Sequence, residues 1–168
     1  MVDVARDWNC KPDGCERRIS FDQTPEFEIN LAKGGNGALF TDNNWGKAED
    51  WGQWTRATRA ALSFSVGAPR DLVVALSIGA LLSATAPKQS VWIEANHCRV
   101  RGVDFDLAHG SWPQTISGTI PAGCINADGT VILRVNTDRV RSPKEIEIND
   151  DERKLGVAVE RVHATNLR

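Results

Sequence analysis

Residues 60–80 read AALSFSVGAPRDLVVALSIGA, and their alternation decides the fold. In the first half Leu62, Phe64 and Val66 share one parity, with Ser63 and Ser65 between them. In the second half Leu72, Val74, Leu76 and Ile78 alternate with smaller residues, and Gly67, Pro69 and Asp71 supply turn chemistry between the halves. Period two over this length, bounded by turn residues, is the signature of half-buried strands. The alanines and leucines of 72–84 would also suit a buried helix by propensity, but alternation and the preceding turn favour a strand.

The same period extends in both directions. Ile19 and Phe21, then Phe27, Ile29 and Leu31, precede this stretch, and 38–41 continues the pattern after a glycine cluster. Val91, Ile93 and Ala95 follow it with Trp92 and Glu94 opposite, and 100–107, 115–120, 129–137 and 155–164 repeat the theme. About nine or ten strands without an amphipathic helix predict an all-β chain, an antiparallel β-sandwich of jelly-roll-like topology. The polar run SPKEIEINDDERK within 140–154 reads as a long loop. Residues 1–16 read as an irregular arm with a disulfide loop and 17–168 as one sandwich domain, with no internal repeat.

Composition narrows the function classes. The 168 residues are 41% hydrophobic and 25% charged, with 20 basic against 22 acidic side chains and a net charge of -2. That balance argues against a strongly basic nucleic-acid binder. The most apolar run, 72–82, is broken by Ser77 and Gly79 and falls short of the roughly 20 residues that a membrane-spanning helix needs. The opening MVDVARDWNC has no apolar signal core.

Four cysteines suggest two bridges. CKPDGC at 10–15 places a Pro-Asp-Gly turn between Cys10 and Cys15, which brings two chain positions together; Cys98 and Cys124 remain for a second bridge. Disulfides would assign the domain to an oxidising compartment. Four idle thiols are the plain alternative, and zinc, with His97 beside Cys98, lacks the usual CxxC spacing.

Catalytic motifs are missing from the sequence: no GxSxG, HExxH or GxxxxGK[ST] occurs. His97, His109 and His163 are scattered, so no catalytic residue and no cofactor is assigned. Calcium on Asn149, Asp150, Asp151 and Glu152 is a second metal alternative beside zinc, without the helix–loop–helix calcium spacing. Those acids read equally as a solvated loop paired with Arg153 or Lys154.

The tryptophans carry more information. The chain has 6 Trp and 0 Tyr, and Trp45, Trp51 and Trp54 lie together in NNWGKAEDWGQW. An indole presents a flat apolar face to the C–H face of a sugar ring, while amides and carboxylates hydrogen-bond the hydroxyl rim. Asn43, Asn44, Glu49, Asp50 and Gln53 stand beside these indoles, so the segment is a candidate glycan-binding surface. The competing reading has the indoles closing the sandwich edge, each N–H satisfied by a loop carbonyl. Trp92 and Trp112 carry the same ambiguity, and Trp8 reads as an anchor for the N-terminal arm.

GNGALFTDNNWGKAEDWGQWT at 35–55, DLVVALSIGA at 71–80, VWIEANH at 91–97 and SPKEIEINDDERKLGVAVERV at 142–162 follow one another in a familiar order. The series resembles the C-terminal β-sandwich accessory domain of bacterial membrane glycan-modifying transferases, such as the phosphoglycerol transferases of periplasmic glucans, with related modules on certain membrane glycosyltransferases. The likeness covers about 17–166. It implies a non-catalytic domain facing the periplasm, with an envelope oligosaccharide and the catalytic domain of a parent transferase as its partners. Catalysis would lie in a separate domain, and this segment would not enter the membrane. Asp151, Arg153, Leu155 and Gly156 then read as an architectural motif, a charge pair followed by a glycine that lets the last strand pack closely. Asn96-His97-Cys98 departs from the Asn-Gly turn usual after the central strand. A structural or protein-interaction module without sugar binding is the rival reading.

Overall fold

The computed structural model describes the backbone of residues 5–11 and 14–20 and the whole of residues 26–167. Where the sequence suggests an irregular arm, the backbone forms two strands, β1 (Ala5–Lys11) and β2 (Gly14–Ser20), paired antiparallel with Cys10 opposite Cys15. The side chains of Trp8, Cys10 and Cys15 lie outside the described residues, and so does the proposed bridge between those cysteines.

Nine further strands follow: β3 (Glu26–Asn30), β4 (Gln53–Trp54), β5 (Arg59–Ser65), β6 (Leu72–Ala80), β7 (Lys88–Ala95), β8 (Cys98–Asp106), β9 (Gln114–Ile120), β10 (Thr130–Thr137) and β11 (Val157–Asn166). One sheet runs β5-β10-β7-β8, extended past β5 by β2 and β1; the other runs β3-β11-β6-β9, with β4 also on β11. Successive strands mostly change sheets, which gives the jelly-roll order. All pairings within the nine strands are antiparallel, while β2 touches β5 through one parallel pair, Ser20 with Ser65.

Alternation places the core. Leu62, Phe64, Ile93, Leu133 and Phe105 from one sheet and Ile29, Leu72, Leu76, Ile78 and Val162 from the other fill the interior, each at most 3% exposed. The helix alternative for 72–84 is therefore excluded, since β6 pairs along its whole length with β11 and β9. A second element also differs from the sequence reading: 38–41 is not a strand. Gly37–Leu39 is a 3-10 turn, because the Phe40 N–H returns to the Gly37 carbonyl while the Phe40 ring enters the core.

Cys98 at the start of β8 is bonded to Cys124, which ends a short turn before β10. The bridge joins the β7–β8 turn to the β9–β10 connection. Asn96 keeps that turn tight at φ 52, and its amide donates to the Cys124 and Thr130 carbonyls while accepting from the Ile132 N–H. Asparagine tolerates this left-handed position better than most residues, and His97 beside it has no positive φ, so neither position requires glycine.

Candidate functional site

The tryptophan segment divides at its first indole. Trp45 is 5% exposed, belongs to the hydrophobic core, and donates its N–H to the Ala61 carbonyl at 2.9 Å. It is a packing element and presents no face to a ligand. Asn43 and Asn44 are exposed on the preceding turn, where the Asn44 N–H bonds the Asp42 carboxylate, and neither lines a groove described below.

From Gly46 the chain makes a compact loop. The Gly46 N–H bonds the Trp54 carbonyl, the Glu49 N–H bonds the Gly52 carbonyl, and the Lys33 N–H bonds the Glu49 carbonyl, each at 2.7 Å. Gln53 is buried and its amide closes the loop onto the Gly46 carbonyl at 2.5 Å. Gly52 lies against β11 so closely that a Cβ there would sit 2.4 Å from the Val159 carbonyl oxygen. A side chain at this position would lift the loop and the indoles on either side of it.

Trp51 and Trp54 flank Gly52 and remain half-buried on the outer face of the β11–β6 sheet. Trp54 lies opposite Ala158 on β11, and Ala158 lies opposite Gly79 on β6, so two small residues continue the row from the indole. Over Gly79 rests a third indole, Trp112, from the connection between β8 and β9; a Cβ at Gly79 would fall 1.6 Å from its Cε3 atom. The Ala80 N–H bonds the Ser111 carbonyl at 2.9 Å, which docks this connection on β6, and the Trp112–Pro113 peptide is cis.

The three indoles form one cluster. Trp54 and Trp112 are nearly parallel, 29° apart with centroids 6.4 Å apart. Trp51 meets both edge-on, at 4.9 Å from Trp112 and 5.6 Å from Trp54. With Leu81 and Leu82 they line an open groove of about 320 Å³. Its far wall is fixed by Arg139, whose guanidinium donates to the Leu81 and Ala86 carbonyls. Trp112 is 39% exposed, and among the described residues the indole N–H groups of Trp54 and Trp112 have no hydrogen-bond partner.

Trp51 is held differently. Its N–H donates to Glu49 at 3.1 Å, and the other Glu49 oxygen accepts from Arg153 at 2.8 Å. Arg153 in turn grips Asp151 through Nε and Nη2 at 2.9 and 2.7 Å. This pairing holds the Asp151 carboxyl below the usual carboxylate range, chiefly through the guanidinium hydrogen bond, and raises the Arg153 pKa. The 151–156 motif thus reaches the indoles through Glu49. Leu155 is buried and exchanges backbone bonds with Arg141, while a Cβ on Gly156 would lie 2.4 Å from the Thr55 hydroxyl.

Around this chain most of the acidic run is engaged. Glu152 pairs with Lys144 at 2.5 Å, and Asn149 accepts the Asp151 N–H. Glu145 pairs with Lys154; that hydrogen bond and the Ser142 N–H lower its pKa from an ordinary 4.5 to about 2. Among the described residues no three His, Cys, Asp or Glu side chains converge as metal ligands. His97 and His109 are exposed, and His163 approaches Glu26 at 3.5 Å on the outer surface.

A second groove, of about 690 Å³, adjoins the first at Trp51. It runs between the 33–37 turn and the 46–50 loop and is edged by Lys33, Lys47, Glu49 and Asp50. Of the segment's polar residues, Glu49, Asp50 and Gln53 therefore reach a groove and Asn43 and Asn44 do not. Trp112 joins the site although it lies far along the chain; its one local signal is Gly79, a glycine inside an apolar strand whose missing side chain an indole covers.

No family model matches the chain, and no curated protein matches it either. Solved structures do share the architecture. The chain is similar to the C-terminal CBM6 of LamC, a laminarinase from Zobellia galactanivorans, at 10% identity over 83% of this chain and 98% of that one, with a TM-score of 0.47. It is also similar to part of a family GH115 4-O-methyl-α-glucuronidase, at 11% identity over 88% of this chain and 18% of that one, TM-score 0.50. The insecticidal crystal protein Cry2Aa gives 11% identity over 94% of this chain and 24% of that one, also with a TM-score of 0.50. At these identities the likeness is one of fold.

Proposed function

We propose that this chain is a non-catalytic, glycan-facing accessory domain and that Trp54 and Trp112 are its sugar platform. One observation carries the reading. Two near-parallel indoles flank an open groove above small residues, and neither N–H has a partner among the described residues. A sugar's C–H face stacks on such rings, and the unpartnered N–H groups donate to its hydroxyls.

The parent is a bacterial envelope glycan-modifying transferase, on the resemblance of the 35–55 and 142–162 segments, and the compartment is the periplasm. The Cys98–Cys124 bond supports an oxidising location.

A second reading has its own observation. Trp51 packs edge-on against both other indoles and the cluster covers Ala158, which is fully buried, so the trio also works as outer-face packing. Calorimetric titration with gluco-oligosaccharides of envelope type separates the two. The glycan reading expects millimolar or tighter binding that Trp112→Ala weakens by at least about tenfold. Absence of heat with every sugar from the unsubstituted chain, together with a Trp112→Ala variant that is merely less stable, would leave a structural module.

A further inference from the structure

We infer that the ligand is a neutral oligosaccharide of at least three sugar units, laid across Trp51 from the aromatic groove into the lysine-edged one; this rests on the glycan reading above. Trp51 is the shared wall of the two grooves. Each has a volume within the range of about 300–1,000 Å³ that accommodates a ligand of several rings, so one sugar ring fills neither.

The grooves differ in chemistry. The first offers indole faces and leucine side chains, which suit the apolar face of a ring. The second adds hydroxyl partners along its edge: the Lys33 and Lys47 ammonium groups, the Asp50 carboxylate and the backbone of the 33–37 turn. Among the described residues neither lysine has an ion-pair partner, and neither has Asp50. The fourth charged edge, Glu49, is already taken by Arg153 and the Trp51 indole.

The consequence is a groove whose free charges are of both signs. A polyanion would gain from the lysines and lose against Asp50, whereas a hydroxyl-rich neutral chain hydrogen-bonds all three. The order of the two grooves along the surface also gives the ligand a direction, with stacked units at the Trp112 end and hydrogen-bonded units at the Lys33 end.

A length series tests this on the intact chain, using neutral β-linked glucose oligomers of one to five units in calorimetric titration, with an acidic uronic-acid oligomer of matched length. The association constant should rise at least about tenfold between the short and the four-unit ligand. Lys47→Ala/Asp50→Ala should remove that gain, as should Lys33→Ala; all three side chains are exposed, so folding is not at stake. An equal affinity for every length, or a four-unit affinity unmoved by these variants, overturns the extended cleft and leaves the indole platform standing. Tighter binding of the acidic oligomer by about tenfold or more overturns the neutral assignment. No binding at any length removes the glycan reading itself.

Discussion

Trp45 and Trp54 belong to one short segment, share polar neighbours, and meet opposite fates. Trp45 pairs across an isolated bridge with Thr55, which is fully buried, and both point into the sandwich. Trp54, one residue before Thr55, points the other way and lies over the outer face beside Ala158. Side chains on a strand alternate between faces, so a step of one residue separates a core indole from a surface indole. Clustering of tryptophans along a chain is therefore only a partial guide to clustering in space. Trp54 finds its companions in Trp51 and in the distant Trp112, and Trp45 finds none of them.

Substitutions can break this contrast, and the largest effect should fall on Trp45. Trp45→Ala should cost about 3–5 kcal/mol, the range for removing a large buried aromatic, as read from urea unfolding. A cost near zero would erase the distinction between the two indoles. Gly79→Ala comes next. The new methyl occupies the Trp112 position, so the ring must swing off β6; because that ring is partly exposed, the cost is about 1–2 kcal/mol. Near-ultraviolet circular dichroism should change and sugar binding should fall, although every indole is still present. An unchanged spectrum would show that Trp112 does not lie over Gly79.

Trp112→Ala should cost about 2 kcal/mol in stability, less than Trp45→Ala because the ring is 39% exposed, while binding is weakened far more. Equal losses of stability and affinity in Trp45→Ala and Trp112→Ala would mean that both indoles are packing. Arg153→Ala removes exposed ion pairs worth at most about 1 kcal/mol, so unfolding should hardly move. Its signature is in the emission of Trp51, whose Glu49 acceptor loses its anchor.

Acid provides the gentlest probe. Glu145 and Asp151 both have folded-state pKa values below their unfolded ones, so their contribution is present above about pH 4.5 and is lost on acidification, for Glu145 as the pH falls through about 2. Stability and Trp51 emission should thus be flat from pH 5 to 8 through these groups and change only below about 4.5, less so in high salt. Asp151→Asn and Glu145→Gln should flatten the acid limb; an unchanged limb in both variants would remove these pairs from the account.

Alternation makes most of the sandwich readable from the sequence. Leu62, Phe64, Leu72, Leu76 and Ile93 all enter the core with the parity their spacing implies. The same period misleads at 38–41, where glycine at 37 admits a 3-10 turn and Phe40 reaches the core without a strand. The site was legible only in part. Trp51, Trp54 and Glu49 stand out by composition, but the partner of Glu49 lies 104 residues away and Trp112 is delivered by the β8–β9 connection. Such meetings depend on how strands cross between sheets, and local pattern does not carry that information.

The six tryptophans, in a chain with no tyrosine, give six indole N–H signals that can be followed one by one. Nitrogen-15 correlation spectra recorded while a neutral glucan oligomer is added test the sugar platform most directly. The expected result is that the Trp54 and Trp112 indole signals move together with increasing sugar, that Trp51 follows, and that Trp45 stays fixed. Movement of none of them, or movement confined to Trp92 on the opposite sheet, would contradict it.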